Sequence, residues 1–443
     1  MNTFTKYFLI LFTFITISSF AQIPVILPMK ERARVIDEIL DERIKTVLPD
    51  IMRKNDLDMW VIISREYNED PVIKTFLPST WLAARRRTIL VIYDPGEGKD
   101  LETLAVARYD VGTMFKKSWD KEQQPDQWAR LVEIINERNP SRIGVNTSEN
   151  YGHADGMAST DLEIFRERLG KKYAQRIVSA EKVAVGWLET RSATELVIYG
   201  NVCSIAHQII KEAFSSEVIH PGITTTDDVV WWLRDRIRSL GLVTWFHPTV
   251  SIQRADPESF DHLRSFSNRP DNQVIQPGDL LHVDFGITYL RLNTDTQQHA
   301  YVLRPGENEA PEYLKKALDR GNRLQDIFTN NFSEGKTGNE ILKESREQAI
   351  AEGIKPSIYS HPIGFHGHAA GTTLGMWDSQ EGVPYTGDYP LHVNTAYAIE
   401  LNAATYIEEW KKEIRIMLEE DAFFLQEGVR YIDGRQTELI LIR

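Results

Sequence analysis

Apolar residues run along this chain in two rhythms, one of helical period and one of strand length, and together they predict two domains. From residue 31 to 55 the apolar positions recur at helical spacing, which predicts one long amphipathic helix. Met59-Trp60-Val61-Ile62-Ile63-Ser64 is an unbroken apolar run and reads as a buried strand. Thr88 to Tyr93 and Leu104 to Ala107 read as further strands, joined by a loop around Pro95-Gly96-Glu97-Gly98. Gln127 to Glu137 predicts a helix and Arg142-Ile143-Gly144-Val145 a strand. Strands alternating with helices make the first part of the chain, roughly residues 25 to 180, an α/β layer.

The second part begins near residue 185. Leu196, Tyr199, Val202, Cys203, Ala206, Ile209, Ile210 and Ala213 share helical spacing, so Cys203 reads as a buried packing residue rather than a nucleophile. After a turn at His220-Pro221-Gly222, Thr224-x-x-Asp227 resembles a capping box with Asp in place of Glu. A second helix follows, with Val229, Val230, Leu233, Ile237 and Leu240 inward and Gly241 as its stop. Two antiparallel strands are expected at 279 to 289 and 294 to 303, then helices at about 310 to 329 and 338 to 352. Two late strands end in acids, one at Glu400 and one at Glu419-Glu420.

The amino terminus has a different pattern. Lys6, an apolar run from Tyr7 to Ile17, and Ser18-Ser19-Phe20-Ala21 form a secretory leader with a cut expected after Ala21. The apolar run is shorter than the roughly 20 residues of a spanning helix. The expected protein is therefore exported, periplasmic or secreted, without a stable membrane anchor. Its expected organisation is a leader at 1–21, an α/β domain at 22–183 and a second domain at 184–443. Apolar content of 42% and charged content of 26% belong to a soluble globular chain. A net charge of -13 argues against nucleic acid as a partner. A single cysteine excludes an intrachain disulfide.

Three segments carry candidate chemistry. Asp284 and Asp295 stand eleven residues apart in the two strands, a separation that can bring both side chains onto one face of a hairpin. Two buried carboxylates repel, and a divalent cation between them removes the conflict. A single Asp pair, however, is often one structural and one exposed residue. His361-Pro362-Ile363-Gly364-Phe365-His366-Gly367-His368-Ala369-Ala370-Gly371 packs three histidines and three glycines together. Imidazole ligates metals when neutral, although such a segment alone also fits a polar turn. Glu400 and Glu419 or Glu420 add carboxylates, which are merely solvated unless a metal gathers them. Arg85-Arg86-Arg87 reads as a solvated edge.

In this order and setting, Asp284, Asp295, His361, Glu400 and Glu419 resemble the five metal ligands of the pita-bread metallopeptidases, which include methionine aminopeptidase, Xaa-Pro aminopeptidase and prolidase. The eleven-residue Asp spacing matches, as does a ligand His followed by Gly at +3 and His at +7, here His361, Gly364 and His368. Ile219-His220-Pro221-Gly222-Ile223-Thr224 resembles the family's turn before its second catalytic-domain helix. The resemblance covers about residues 185 to 443. The amino-terminal part looks, more loosely, like the α/β domain of prolidase and creatinase relatives. The fold it implies is a creatinase/prolidase-like α/β domain followed by a pita-bread domain.

The resemblance implies a short-peptide hydrolase, of the Xaa-Pro aminopeptidase or dipeptidase kind, that uses a metal-bridging hydroxide. Asp284 would chelate one metal, His361 with Glu400 the other, and Asp295 and Glu419 would bridge them. The cofactor would be two divalent cations, manganese first, with zinc, cobalt or iron also fitting. Glu400 would also shuttle a proton, and His368 would contact the substrate. A further family histidine falls on His262, with His247 as competitor. Only one of Glu419 and Glu420 can face the metals, and the acids and apolar run that follow favour Glu419. Two-domain relatives are often homodimers, so one is expected. The chain departs from the family at Thr296-Gln297-Gln298-His299, where an Arg is common, and at Leu401-Asn402 after the first Glu. It departs again at Met417, where prolidases carry an Arg; Arg415 shares that strand face. Rival readings are a creatinase-like metal-free C–N hydrolase and an inactive protein of the same fold that binds a small ligand. His282 is a candidate neighbour of the site; His299 and His392 read as structural or solvent-facing.

Overall fold

The computed structural model describes residues 24–256 and 272–443. The leader at 1–21 and His262 lie outside the described residues.

The first part is built on a six-stranded sheet of β1 (Met59–Arg65), β2 (Arg87–Tyr93), β3 (Glu102–Val106), β4 (Lys116–Lys117), β5 (Ile143–Val145) and β6 (Ile177–Ser179), in the order β4-β3-β2-β1-β5-β6. The central strand β1 runs antiparallel to β2 and parallel to β5. Its residues 59–63 are all apolar because both of its faces are covered. Trp60 and Ile62 face a core supplied by α1 (Met29–Thr46), α2 (Leu48–Lys54) and α3 (Pro71–Phe76). Met59, Val61 and Ile63 face α4 (Gln127–Arg138) and α5 (Ser159–Ala174). The single helix expected at 31 to 55 is two helices, broken at Val47. Pro49 explains the break, since it lacks an N–H and crowds the turn before it.

After α6 (Glu181–Glu189), α7 (Ala193–Ala213) opens with a capping box of Ser192 and Glu195. The next helix, α8 (Thr226–Ser239), has its box at Thr225 and Asp228, one residue later than the sequence suggests. Thr224 is occupied elsewhere: its hydroxyl accepts from the His220 backbone N–H at 2.9 Å and closes the turn. Cys203 is buried on α7, as expected.

Among the described residues the second sheet has nine strands: β7 (Thr249–Gln253), β8 (Leu280–Phe285), β11 (Thr296–Val302), β12 (Lys355–Ile358), β13 (His361–Pro362), β14 (Thr395–Ile407), β15 (Lys412–Leu425), β16 (Gly428–Tyr431) and β17 (Ile440–Ile442). A two-stranded ribbon, β9 (Thr288–Tyr289) and β10 (Leu292–Asn293), links β8 to β11. The main order is β12-β14-β15-β11-β8-β7, so sequence-distant strands lie side by side. Two further helices, α9 (Glu312–Asn330) and α10 (Gly338–Ala351), complete the second part. The late strands do not end at Glu400 and Glu419 but run on through them. An apolar pattern stops at the first acid, whereas a strand with polar residues gathered on one face need not. On β8, Leu281, Val283 and Phe285 pack with α7 and α8. On β14, Ile399, Leu401 and Ala403 pack with α9 and α10. The alternate residues of these strands are thereby left to meet one another.

Candidate metal centre

The register of the sheet builds the centre. Asp284 on β8 stands opposite Gln297 on β11, Gln297 opposite Glu419 on β15, and Glu419 opposite Glu400 on β14. Directly opposed residues share a face, so one row across four strands carries three carboxylates and an amide. Asp295 lies two residues before Gln297 and so shares its face. His361 on β13 pairs with Ala398, two residues from Glu400.

Ligand atoms of these residues converge in three overlapping groups, each within 4.8 Å: Asp284, Asp295 and Glu419; His361, Glu400 and Glu419; Asp295, His361 and His368. All five acid and imidazole residues singled out in the sequence meet here, with His368. Glu420 faces the other way. It accepts from Gln298 Nε2 at 2.8 Å and from the Gln436 backbone N–H at 3.1 Å, and it pairs with His207 Nε2 at 2.7 Å.

The electrostatics are those of a site short of positive charge. Burial, then neighbouring carboxylates, push Asp295, Glu400 and Glu419 well above the ordinary carboxylate range. Burial, then His368, lowers His361 to about 3, so its imidazole is neutral. His361 Nδ1 donates to the Pro362 carbonyl at 2.9 Å. Its Nε2 lone pair then points at Asp295 Oδ2 and Glu419 Oε1, each 3.8 Å away. A lone pair facing two carboxylate oxygens is unfavourable unless a cation stands between them. His361 Nε2, Asp295 Oδ1 and Glu419 Oε1 are buried without a hydrogen-bond partner, which buried polar atoms rarely are. The donor set therefore fits divalent cations.

The loop after His361 is held by close contacts. A Cβ on Gly367 would come within 2.4 Å of the Trp245 ring, and one on Gly364 within 2.7 Å of the Arg191 guanidinium. Trp245 meets His368 edge-on at 5.1 Å, and His361 meets His368 at 4.7 Å. One residue of this region carries no sequence signal. His153, from the turn 152–154 of the first part, lies 4.6 Å from the His366 ring and interacts with the His368 backbone. Next to it, the Tyr151 hydroxyl donates to the Gly371 carbonyl at 3.0 Å. A lone His in a short turn has no period or spacing to mark it.

Other candidates fall elsewhere. His247 is exposed, against Trp231 and Arg234, and does not join the ligand groups. His299 is fully buried and structural, bound to Leu281 O and Met417 N. His392 lies beside Lys54 and Tyr389. Arg415 donates to Asn402 at 3.0 Å. The arginine run is only partly solvated: Arg85 stacks on Trp81, and Arg87 lies over Trp128 near Asp161.

Convergent buried carboxylates and a neutral histidine on one face of a sheet define a metal-dependent hydrolase as a class. Residues 198–433, more than half of the chain, match the profile of metallopeptidase family M24, and the chain belongs to that family. No curated protein sequence matches it. Among solved structures it is similar to an X-Pro aminopeptidase from Thermotoga maritima MSB8, with 16% identity, 88% of this chain and 99% of that chain covered, and a TM-score of 0.62. It is also similar to an Xaa-Pro dipeptidase from Bacillus anthracis, with 16% identity, 94% and 100% covered, and a TM-score of 0.55. A prolidase from Pyrococcus horikoshii OT3 has 16% identity, 91% and 100% covered, and a TM-score of 0.54. At these identities the likeness speaks for the fold, which is the expected α/β and pita-bread combination. The protein is a metallopeptidase.

Proposed function

We propose that the protein removes the amino-terminal residue from short peptides at Xaa-Pro bonds, with two divalent cations, manganese first among them. The observation that carries this reading is the row of carboxylates closed by His361, with three of its ligand atoms buried and unpartnered. Asp284 would hold one cation, His361 and Glu400 the other, and Asp295 and Glu419 both. When bound, the cations supply Lewis acidity that polarises the scissile carbonyl and acidifies water. The chain's own groups do the rest. Glu400 carries a proton towards the leaving nitrogen. His368, open to solvent beside the cluster, donates to the substrate carbonyl oxygen. Trp245 and the His366 loop wall the site and exclude water from one side. Xaa-Pro substrates are favoured by the shared fold of the neighbours, and bonds to proline need a dedicated site because they lack an N–H. Export through the leader, a boundary near residue 184 and pairing of two copies belong to the same proposal.

The test is release of the first residue from Ala-Pro-Ala and Ala-Ala-Ala by the mature protein with added manganese, with and without chelator. Chelator-sensitive cleavage of Ala-Pro-Ala alone is expected. Equal cleavage of both peptides, or cleavage untouched by chelator, refutes the assignment.

A further inference from the structure

We propose that Gln297 is a positioning residue of the metal centre, holding Glu400 and Glu419 apart and in orientation before cations arrive. The inference rests on the metal-centre reading above and goes beyond it, because Gln297 is not one of the ligands.

Gln297 occupies the one place in the row Asp284–Gln297–Glu419–Glu400 that is not an acid, and it is buried. Its Nε2 donates to Glu400 Oε1 and, at 2.8 Å, to Glu419 Oε2. Both amide protons are thus committed, one to each carboxylate. Its Oε1 faces His282 Nε2 at 2.8 Å. Chemistry sets this orientation. Glu400 Oε1 and Glu419 Oε2 both accept, so the NH2 end faces them and the carbonyl end faces a donor. His282 Nε2 must then carry its proton. A neutral His282 leaves Nδ1 as an acceptor, and the Ser251 hydroxyl stands 3.4 Å from it. A polar chain therefore crosses from β7 through β8 and β11 to the two glutamates.

The effect on the ligands is specific. Gln297 pins Oε2 of Glu419, and the other oxygen, Oε1, is the buried unpartnered atom turned towards His361. One amide thereby sorts the oxygens of a bridging carboxylate into a held one and a presented one. It also replaces repulsion between Glu400 and Glu419 with two hydrogen bonds to one donor. Methionine at 297 would keep the volume and remove both donors. Partners of this kind typically account for roughly 10–100-fold in metal affinity.

The experiment titrates Co2+ into the metal-free mature protein and reads stoichiometry, affinity and the visible absorption bands, which report coordination geometry. Thermal unfolding in chelator serves as the control for folding. Wild type is expected to bind two ions. Gln297→Met is expected to bind roughly 10–100-fold more weakly with altered bands, and to unfold in chelator somewhat below wild type, because the repulsion between Glu400 and Glu419 returns. A purely structural role would move the unfolding and leave the bands alone. Should Gln297→Met fail to fold, His282→Asn keeps the amide donors and frees their anchor; several-fold weaker binding is expected. Wild type that takes up no Co2+ would overturn the metal-centre reading and this inference with it. Loaded wild type and a variant with the same affinity and bands would overturn this inference alone.

Discussion

Asp295→Asn separates the two demands placed on the centre. Asp295 is 4% exposed, its Oδ1 has no partner, and burial, then Asp284, Glu400 and Asp421, raise its proton affinity. Asparagine has the same shape, so no cavity forms. Without metal, the substitution removes one member of a mutually repelling group and is expected to stabilise the protein by about 0.5–2 kcal/mol. With metal, the balance reverses. A cation at one hundred times its dissociation constant stabilises the wild type by about 2.7 kcal/mol per site. For a catalytic part of this size that raises Tm by roughly 5–11 °C. Asp295 belongs to two of the three ligand groups, so its loss should abolish most of that rise and all turnover. Thermal unfolding with chelator and with manganese, alongside metal content by mass spectrometry, measures both limbs. An Asp295→Asn protein that keeps the full metal-induced rise, or that is less stable than wild type in chelator, refutes the reasoning.

Two other outcomes follow from groups around the centre. Burial would depress His207, but Glu420, then its contacts with Asp433 and Glu420, raise it to about 10. A raised folded pKa means stability that is full below about 6.5 and is lost as pH climbs towards 10. His207→Gln should flatten that decline, which is on the order of a few kcal/mol, in urea melts between pH 6 and 10; an unchanged slope refutes it. His153→Ala should lower kcat/KM for the proline peptide by roughly tenfold, the scale of about 1.4 kcal/mol, with metal content unchanged. Unaltered kinetics would mean that the turn 152–154 does not order the His368 loop.

What was legible in the sequence was whatever repeats or clusters locally. Unbroken apolar runs located β1 and β2 to within a residue or two, because both faces of the first sheet are buried, and helical spacing located α4. The five candidate ligands stood out through the resemblance of their order and spacing to the pita-bread metallopeptidases, and strand alternation reduced Glu419 and Glu420 to a choice of one. The extent of β14 and β15 was hidden, since the acids that matter interrupt the apolar pattern in mid-strand. Long-range partners were hidden as well. The placing of Gln297 between Asp284 and Glu419 comes from strand order, in which β11 lies between β8 and β15. His153 reaches the His366 loop across more than two hundred residues of chain.

Strand order also divides the chain's departures from its family into two kinds. Where relatives often have an arginine after the second Asp, this chain has Thr296-Gln297-Gln298-His299. Gln298 points away from the ligands and meets Glu420, whose charge is matched by His207 from α7. On the face of the sheet turned away from the candidate ligands, Glu420 is thus paired with a side chain from another element. His299 is likewise sealed inside the core. Gln298 and His299 therefore bear on stability, and Gln297 on the candidate ligands. The departure at Met417 is different. Arg415 alternates with Glu419 along β15 and is tied by one hydrogen bond to Asn402, itself two residues from Glu400. It is the cation on that strand best placed to meet a peptide carboxylate, and it would have to release Asn402 to do so. On the proposed function, Arg415→Ala is therefore expected to change the ratio of kcat/KM for Ala-Pro and Ala-Pro-Ala while leaving metal content unchanged; an unchanged ratio refutes a role for Arg415 and Asn402 in discriminating a dipeptide from a longer peptide.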